Sequence, residues 1–460
     1  MVPPSKPSRR HDLVIVANRL PVRRSSKGQW QLSPGGLVSA LIPIVTRRNG
    51  AWIGWSGNAG AAPGPFEFQD FHLHPIPISR RELEDFYYGF SNGTLWPLYH
   101  DAIRWPEYHR HWWGAYREIN HRFAEAAAAV AARGARVWVH DYHLQLVPRL
   151  LRGMRPDLRI GFFLHVPFPP QELFAQLPWR REILKGVLGS DVVGFQTDTA
   201  ANNFARLARR FTGATGPRHR MTCGDRTVRL DAFPVSIDVD HFETLAGTDG
   251  VARARARLRA QLRNRRVILG VDRLDYTKGI DIRAFQELLS RKEISARDYV
   301  FVQTAVPSRE RVATYMDLKQ RIEMMVGQIN GEYGEVGTTP VHYLHRNLAI
   351  EELVALYRLA DVMVVTPFRD GMNLVAKEYV ACRLDDTGVL LLSEFTGSAR
   401  ELKSAVQVNP HDIDGLSASL LRSLNMPRPE MTRRMKKLRS VVKHHDVFDW
   451  GREYLEALDG

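Results

Sequence analysis

VMVVTPFRDGMNLVAKEYVACR, residues 362–383, decides the fold. Its first four residues, Val362–Val365, are apolar and mostly β-branched, and read as a buried strand. Pro367 ends that strand, since proline has no N–H for the ladder. Asp370-Gly371 makes a tight turn. Met372, Asn373 and Leu374 then begin a helix that runs to Arg383. A strand feeding a helix through a short turn is the repeating unit of a parallel sheet covered on both faces.

The same unit recurs on both sides of this stretch. Strand-like runs fall at 13–17, 137–140, 160–164 and 192–195, and again at 267–271, 299–304, 341–344, 362–365 and 389–392. Helical patterns lie between them, at 123–133, 179–188, 309–327, 350–359 and 374–383. Two such series predict two doubly wound α/β domains, and 460 residues exceed what one core serves. The break is expected within FPVSIDVDHF, 233–242. The expected division is a disordered tail over 1–12, a first domain over 13–236 and a second over 237–444. A helix over 445–460 would pack back on the first domain.

Composition narrows the function. Hydrophobic residues make up 44% and charged residues 25%, ordinary for a globular protein. No apolar run is long enough to span a membrane, and the proline- and arginine-bearing N-terminus lacks the apolar centre of a signal peptide. Cys223 and Cys382 stand in neither a metal-ligand nor a redox spacing, which fits a reducing, cytoplasmic compartment. The net charge of +14 raises nucleic acid as a partner. The basic residues are spread along the chain, however, and no nucleic-acid module is visible, so small phosphorylated substrates are the expected anions.

The residues suited to chemistry cluster just after strands, where doubly wound sheets bind ligands. Arg19 ends the first strand, and Gly35-Gly36 opens a helix-like stretch whose N–H groups could approach a phosphate. Asp141, flanked by His140 and His143, follows the strand at 137–140, and His165 follows the next. In GVDRLDYTKGI (270–280), Arg273 and Lys278 could clamp a diphosphate, the first as a fork and the second as a point charge. Arg309 follows a later strand. The helix start after Gly371 offers backbone N–H groups to a phosphate. Asp370 could bind sugar hydroxyls, and Glu378, one turn past Leu374, those of a ribose. Asp238-Val239-Asp240 has the spacing of a metal motif but falls in the interdomain connection, where chance explains it better.

Taken together these segments resemble the trehalose-6-phosphate synthases. SPGGLVSAL, IGWSG, FSNGTLWPLYH, VHDYHLQLVP, IGFFLHVPFP, ILGVDRLDYTKGI, GQINGEYG and RDGMNLVAKEYVA stand in that family's order over nearly the whole chain. The resemblance implies a GT-B fold, two Rossmann-like domains with the active site in the cleft between them. It implies retaining transfer of glucose from a nucleotide-glucose to glucose 6-phosphate. By motif, Arg19, Tyr87, Trp96 and Arg309 would hold the acceptor's phosphate and Asp141 its hydroxyls. His165 would face the donor glucose, and Arg273 and Lys278 the diphosphate. Asp370 with the backbone of Gly371, Met372, Asn373 and Leu374 would take donor glucose and phosphates, and Glu378 the ribose. No cofactor or metal is required.

UDP-glucose is the first choice of donor, with ADP- and GDP-glucose open, because the region expected near the base, Thr304 and 345–353, is not diagnostic. Thr338 also departs from the tryptophan of many relatives. Homo-oligomerisation is open too. No phosphatase domain is expected after the transferase. The rival readings are a pseudo-glycosyltransferase coupling a nucleotide-cyclitol to an amino-cyclitol phosphate, a silent sugar-phosphate sensor, and a nucleic-acid binder.

Overall fold

The structure is a computed structural model that describes residues 10–24, 29–33, 38, 41, 42, 50–69, 71–280, 282–309 and 312–460. The chain forms two compact units, one of residues 1–235 with 448–460, the other Ser236–Val447. Each is an α/β unit built on a parallel-dominated sheet.

Among the described residues the main sheet of the first unit has nine strands, in the order Met221–Cys223, Arg226–Ala232, Val192–Phe195, Arg159–Phe163, Ala131–His140, His11–Arg19, Ala51–Trp55, Phe71–Ile76, Phe66–Phe68. Within this sheet all pairings are parallel except the two outermost hairpins, and Val22–Arg24 pairs antiparallel with Trp30–Leu32 apart from it. In chain order the parallel strands grow outward from His11–Arg19 in one direction. The chain then crosses back to start again at Ala131–His140. That reversal defines a switch point between those two strands.

The second unit's sheet runs Val341–Leu344, Tyr299–Val306, Arg266–Arg273, Val362–Val365, Val389–Ser393, Val406–Val408, all parallel. Here the switch point lies between Arg266–Arg273 and Val362–Val365. Both faces are covered: Val267, Leu269 and Val271 enter one apolar core with the helix residues Val354 and Val380, while Ile268 enters the other with Phe285 and Leu420. Burial on both faces explains why these strands read as continuous apolar runs.

Several expectations need correction. The tail was expected to reach residue 12, yet His11 is already in the first strand, paired with Ala131 and buried. Residues 1–9 lie outside the described residues. The helix expected over 123–133 is Arg110–Val130, and Ala131 to Arg133 belong to the next strand. The helix expected from Arg309 begins at Ala313, because Arg309 adopts φ +48 and cannot continue an α-helix. Met372 and Asn373 stand outside the helix Leu374–Cys382, for which Asn373, at φ +79, is the N-cap. Strands Ala51–Trp55, Phe71–Ile76 and Arg226–Ala232 were not anticipated.

Candidate active site

Each sheet presents an arginine and an aspartate at its switch point. Arg19 ends the first strand of unit one and Asp141 directly follows its fourth parallel strand. Arg273 ends the first strand of unit two, and Asp370 follows the fourth, Val362–Val365, by five residues. Ligands of open α/β sheets bind at such places.

In unit one the Arg19 guanidinium lies 4.1 Å over the Trp55 ring and 5.7 Å from that of Tyr87. Stacking on aromatic faces favours an arginine electrostatically while leaving its N–H edge for an anion. Gly57 completes the cradle. Its φ is +96, and a Cβ there would fall 2.4 Å from Arg19 Nη1. Tyr87 sits on a π-helical segment, Leu83–Leu95, and stacks on His143 at 5.8 Å. His143 packs on Tyr142, which also contacts Trp96. Asn92 ties the group together, donating to the Tyr87 carbonyl at 2.7 Å and accepting from the Tyr142 hydroxyl at 2.9 Å. The expected phosphate holders Arg19, Tyr87 and Trp96 therefore belong to one connected aromatic cluster. Gly35 and Gly36 lie outside the described residues.

Asp141 has φ +74 and ψ 169, a backbone region nearly confined to glycine. Its N–H donates to the Phe163 carbonyl at 2.7 Å, and its carboxylate accepts from the His165 N–H at 3.2 Å. These bonds hold Asp141 against His165 across two neighbouring strand ends. His165 Nε2 lies 3.0 Å from Nδ1 of the fully buried His140. Burial pushes the His165 imidazole down to about 3. Burial, then the neighbouring His165, pushes His140 well below the usual range.

In unit two Lys278 pairs with Asp370, both side chains largely buried. The same Asp370 oxygen accepts from Asn373 Nδ2 at 3.1 Å, and Asn373 Oδ1 caps the helix at Ala376 N–H, 3.2 Å away. The left-handed Asn373 thus serves both the turn and the helix start. Met372 and Gly371 are buried beneath it; a Cβ on Gly397 would lie 2.0 Å from the Gly371 carbonyl. Glu378 accepts from the Tyr357 hydroxyl at 2.8 Å, and burial raises its pKa. Arg309 belongs to this unit and Arg19 to the other. Its Nη1 donates to Asp275 Oδ2 at 3.0 Å, and Asp275 is fully buried.

Trp55, Gly57, Asn92, Asp272 and Asp275 were missed as site residues. Trp55 and Asp275 stand inside quoted motifs, IGWSG and LDYTKG, but their roles depend on partners distant in the chain. Asp272 is buried, and that burial pushes its carboxyl up to about 8 beside Asp370, against the opposing pull of Lys278. Asp238, read from the spacing alone as a chance metal motif, is the N-cap of helix Val239–Ala246, accepting from His241 N–H. No group of three or more metal-ligating side chains occurs among the described residues. Nor is any helix there long and apolar enough to cross a membrane.

A family model for glycosyltransferase family 20 matches residues 11–460. A trehalose-6-phosphate synthase of Mycolicibacterium smegmatis is 53% identical over 97% of this chain and 92% of its own length. One from Mycobacterium tuberculosis is 52% identical over 98% and 95%. Among solved structures, a UDP-forming α,α-trehalose-phosphate synthase from Burkholderia xenovorans, in complex with glucose 6-phosphate, superposes with a TM-score of 0.90 at 34% identity, over 97% of this chain and 100% of that one. An E. coli relative bound with UDP-2-fluoro glucose gives 0.90 at 33%, over 97% and 98%.

Proposed function

This chain belongs to glycosyltransferase family 20 with the GT-B fold, and on that premise we propose that it transfers glucose from UDP-glucose to glucose 6-phosphate with retention, giving α,α-trehalose 6-phosphate and UDP. The observation that carries the reading is the doubled arginine–aspartate arrangement at the two switch points. One set, Arg19 with Tyr87, Trp96 and Asp141, suits a sugar phosphate. The other, Arg273 and Lys278 with Asp370 and the capped helix start, suits a glucosyl diphosphate. The relatives titled as UDP-forming, and the one bound with a UDP-sugar analogue, support uracil as the base.

The chemistry follows from charge. Departure of a nucleoside diphosphate leaves a cationic glucosyl centre and a growing negative charge on phosphate. Arg273, Lys278 and the N–H groups at Leu374 stabilise that phosphate where the charge develops. Two cations at this point also make a divalent metal dispensable. Arg19 and Arg309 use the acceptor's remote phosphate to fix its anomeric hydroxyl in place. Asp370, engaged by Lys278 and Asn373, binds sugar hydroxyls as an anion rather than attacking the anomeric carbon. The departing phosphate takes the acceptor's proton on the same face, and configuration is kept. His165, neutral because buried, offers a hydrogen bond to the donor glucose without a competing charge.

Purified protein incubated with glucose 6-phosphate and, separately, UDP-, ADP- and GDP-glucose will release most diphosphate from UDP-glucose. Mass spectrometry will find the disaccharide phosphate. Silence with all three donors, together with turnover of a nucleotide-cyclitol, would overturn the reading.

A further inference from the structure

Asp275 is fully buried and uses its two carboxylate oxygens differently. Oδ1 accepts from the Thr277 N–H at 3.0 Å and the Thr277 hydroxyl at 2.9 Å. Those bonds shape the 3-10 turn Tyr276–Lys278, which presents Lys278. The turn is fastened onward: Phe368 N–H donates to the Thr277 carbonyl at 2.9 Å, on the segment leading to Asp370. Gly279, at φ +56, lets the turn pass the Thr366 carbonyl, which a Cβ would meet at 2.2 Å. Oδ2 faces the other way. It accepts from Arg309 Nη1 and from the Tyr315 hydroxyl, both at 3.0 Å. Burial alone would raise the Asp275 pKa. Arg309, Arg273, the Thr277 N–H and Lys278 outweigh it and hold the group below the usual carboxylate range.

We propose that Asp275 is a positioning residue that couples the two substrates, its Oδ1 setting the turn that carries the donor lysine and its Oδ2 setting the arginine that takes the acceptor phosphate. This rests on the roles given above to Lys278 and Arg309. A carboxylate is rigid and planar, so a shift of the guanidinium toward a bound phosphate moves Oδ1 as well. Acceptor binding at Arg309 therefore tightens the Lys278 turn, and donor binding tightens Arg309. By linkage the two effects are equal in size.

The test divides the two oxygens with conservative variants. Tyr315→Phe removes one donor to Oδ2 and a direct partner of Arg309, and should raise the glucose 6-phosphate KM about fivefold, the worth of one net hydrogen bond, with a smaller rise in donor KM passed on through the carboxylate. Thr277→Val removes the hydroxyl on Oδ1 and should raise donor KM by about the same factor, with a smaller rise in acceptor KM passed on through the carboxylate. Asp275→Asn should raise both, and the Kd for UDP measured by calorimetry should no longer respond to glucose 6-phosphate. Should Asp275→Asn not fold, the two milder variants decide. If Tyr315→Phe raises only the acceptor KM and Thr277→Val only the donor KM, or if neither variant moves either KM, the coupling role is wrong. If Arg309→Ala spares the acceptor or Lys278→Ala spares the donor, the substrate assignment itself fails, and the coupling with it.

Discussion

His140 Nδ1 lies 3.0 Å from His165 Nε2, so the fully buried His140 and the half-buried His165 share a single hydrogen bond. Only one can donate, and a proton added to the accepting ring at the shared nitrogen would set N–H against N–H. Burial alone disfavours that proton, and the mutual repulsion of two imidazoliums adds to it.

The first prediction concerns pH. A histidine with an ordinary pKa of about 6.5 would give activity an acid limb there. His165, held at about 3, will not. The kcat profile with saturating substrates should be flat through that region. The stability consequence has a definite sign. Folded pKa values below the unfolded one mean that the unfolded chain binds protons more readily. The stabilisation is therefore complete above about pH 6.5 and is lost as the pH falls toward 3. Thermal midpoints taken stepwise downward should show this loss, and His140→Gln should show less of it. A midpoint as steep in His140→Gln as in the native protein would rule the pair out as its source.

A second prediction uses Gly57. Alanine there places a methyl group 2.4 Å from Arg19 Nη1, at a backbone φ of +96. The side chain of Arg19 must leave its place over Trp55. We expect the KM for glucose 6-phosphate to rise about tenfold or more, the worth of a charged hydrogen bond, with donor KM unchanged. Stability should fall by only about 1–2 kcal/mol from the backbone. Loss of donor use instead would detach Arg19 from the acceptor.

How much of this was legible beforehand depends on which force set each feature. The strands at Val192–Phe195 and Val362–Val365 were readable because both faces are buried and every residue is apolar. Phe71–Ile76 was not, since its FHLHPI alternates with histidines and contains a proline. The π-helical segment Leu83–Leu95 holds Gly89, Gly93, Ser91 and Asn92, poor helix formers that tertiary contacts override. Trp112 fills the space over both glycines, so their lack of side chains serves packing. The residues around the site came mainly from resemblance to a known family, because spacing alone gives no means of bringing Arg19 to Tyr87. Asp275 stands within the motif GVDRLDYTKGI. Its charge partner Arg309 lies 34 residues on, and no local pattern reveals such a pair.

A third prediction follows from the Lys278–Asp370 pair. With Lys278 and Asn373 both on one oxygen, Asp370 is held as an anion for hydroxyl binding. Asp370→Asn should lower kcat by about a hundredfold, the scale of losing one preorganised electrostatic group. A donor carrying fluorine at carbon 2 should leave no glucosyl adduct on Asp370 by peptide mass mapping. An adduct would make Asp370 a nucleophile and replace same-face return with a double displacement.

The last prediction concerns the C-terminal helix Val447–Asp459. From Phe448 onward it belongs to the first unit, although the whole second unit separates it from that unit in sequence. Trp450 and Tyr454 are fully buried there, Tyr454 stacked on Trp138 at 4.3 Å. The Tyr454 hydroxyl donates to the carbonyls of Phe162 and Val192 at 3.0 and 3.2 Å, bridging two adjacent strands. Those strands leave room for the ring because Gly161 and Gly194 lie beneath it, each with a Cβ position under 3 Å from Tyr454. The helix therefore supplies a core that unit one lacks without it. Trp450→Ala should cost about 3–5 kcal/mol. Because Phe163 and His165 both contact Trp450, the loss should extend to the strand end that carries His165. Hydrogen exchange should then show faster opening of Arg159–Phe163 and Val192–Phe195, with Arg266–Arg273 in the other unit unchanged. Equal acceleration in both sheets would mean that the helix stabilises the chain as a whole and not unit one in particular.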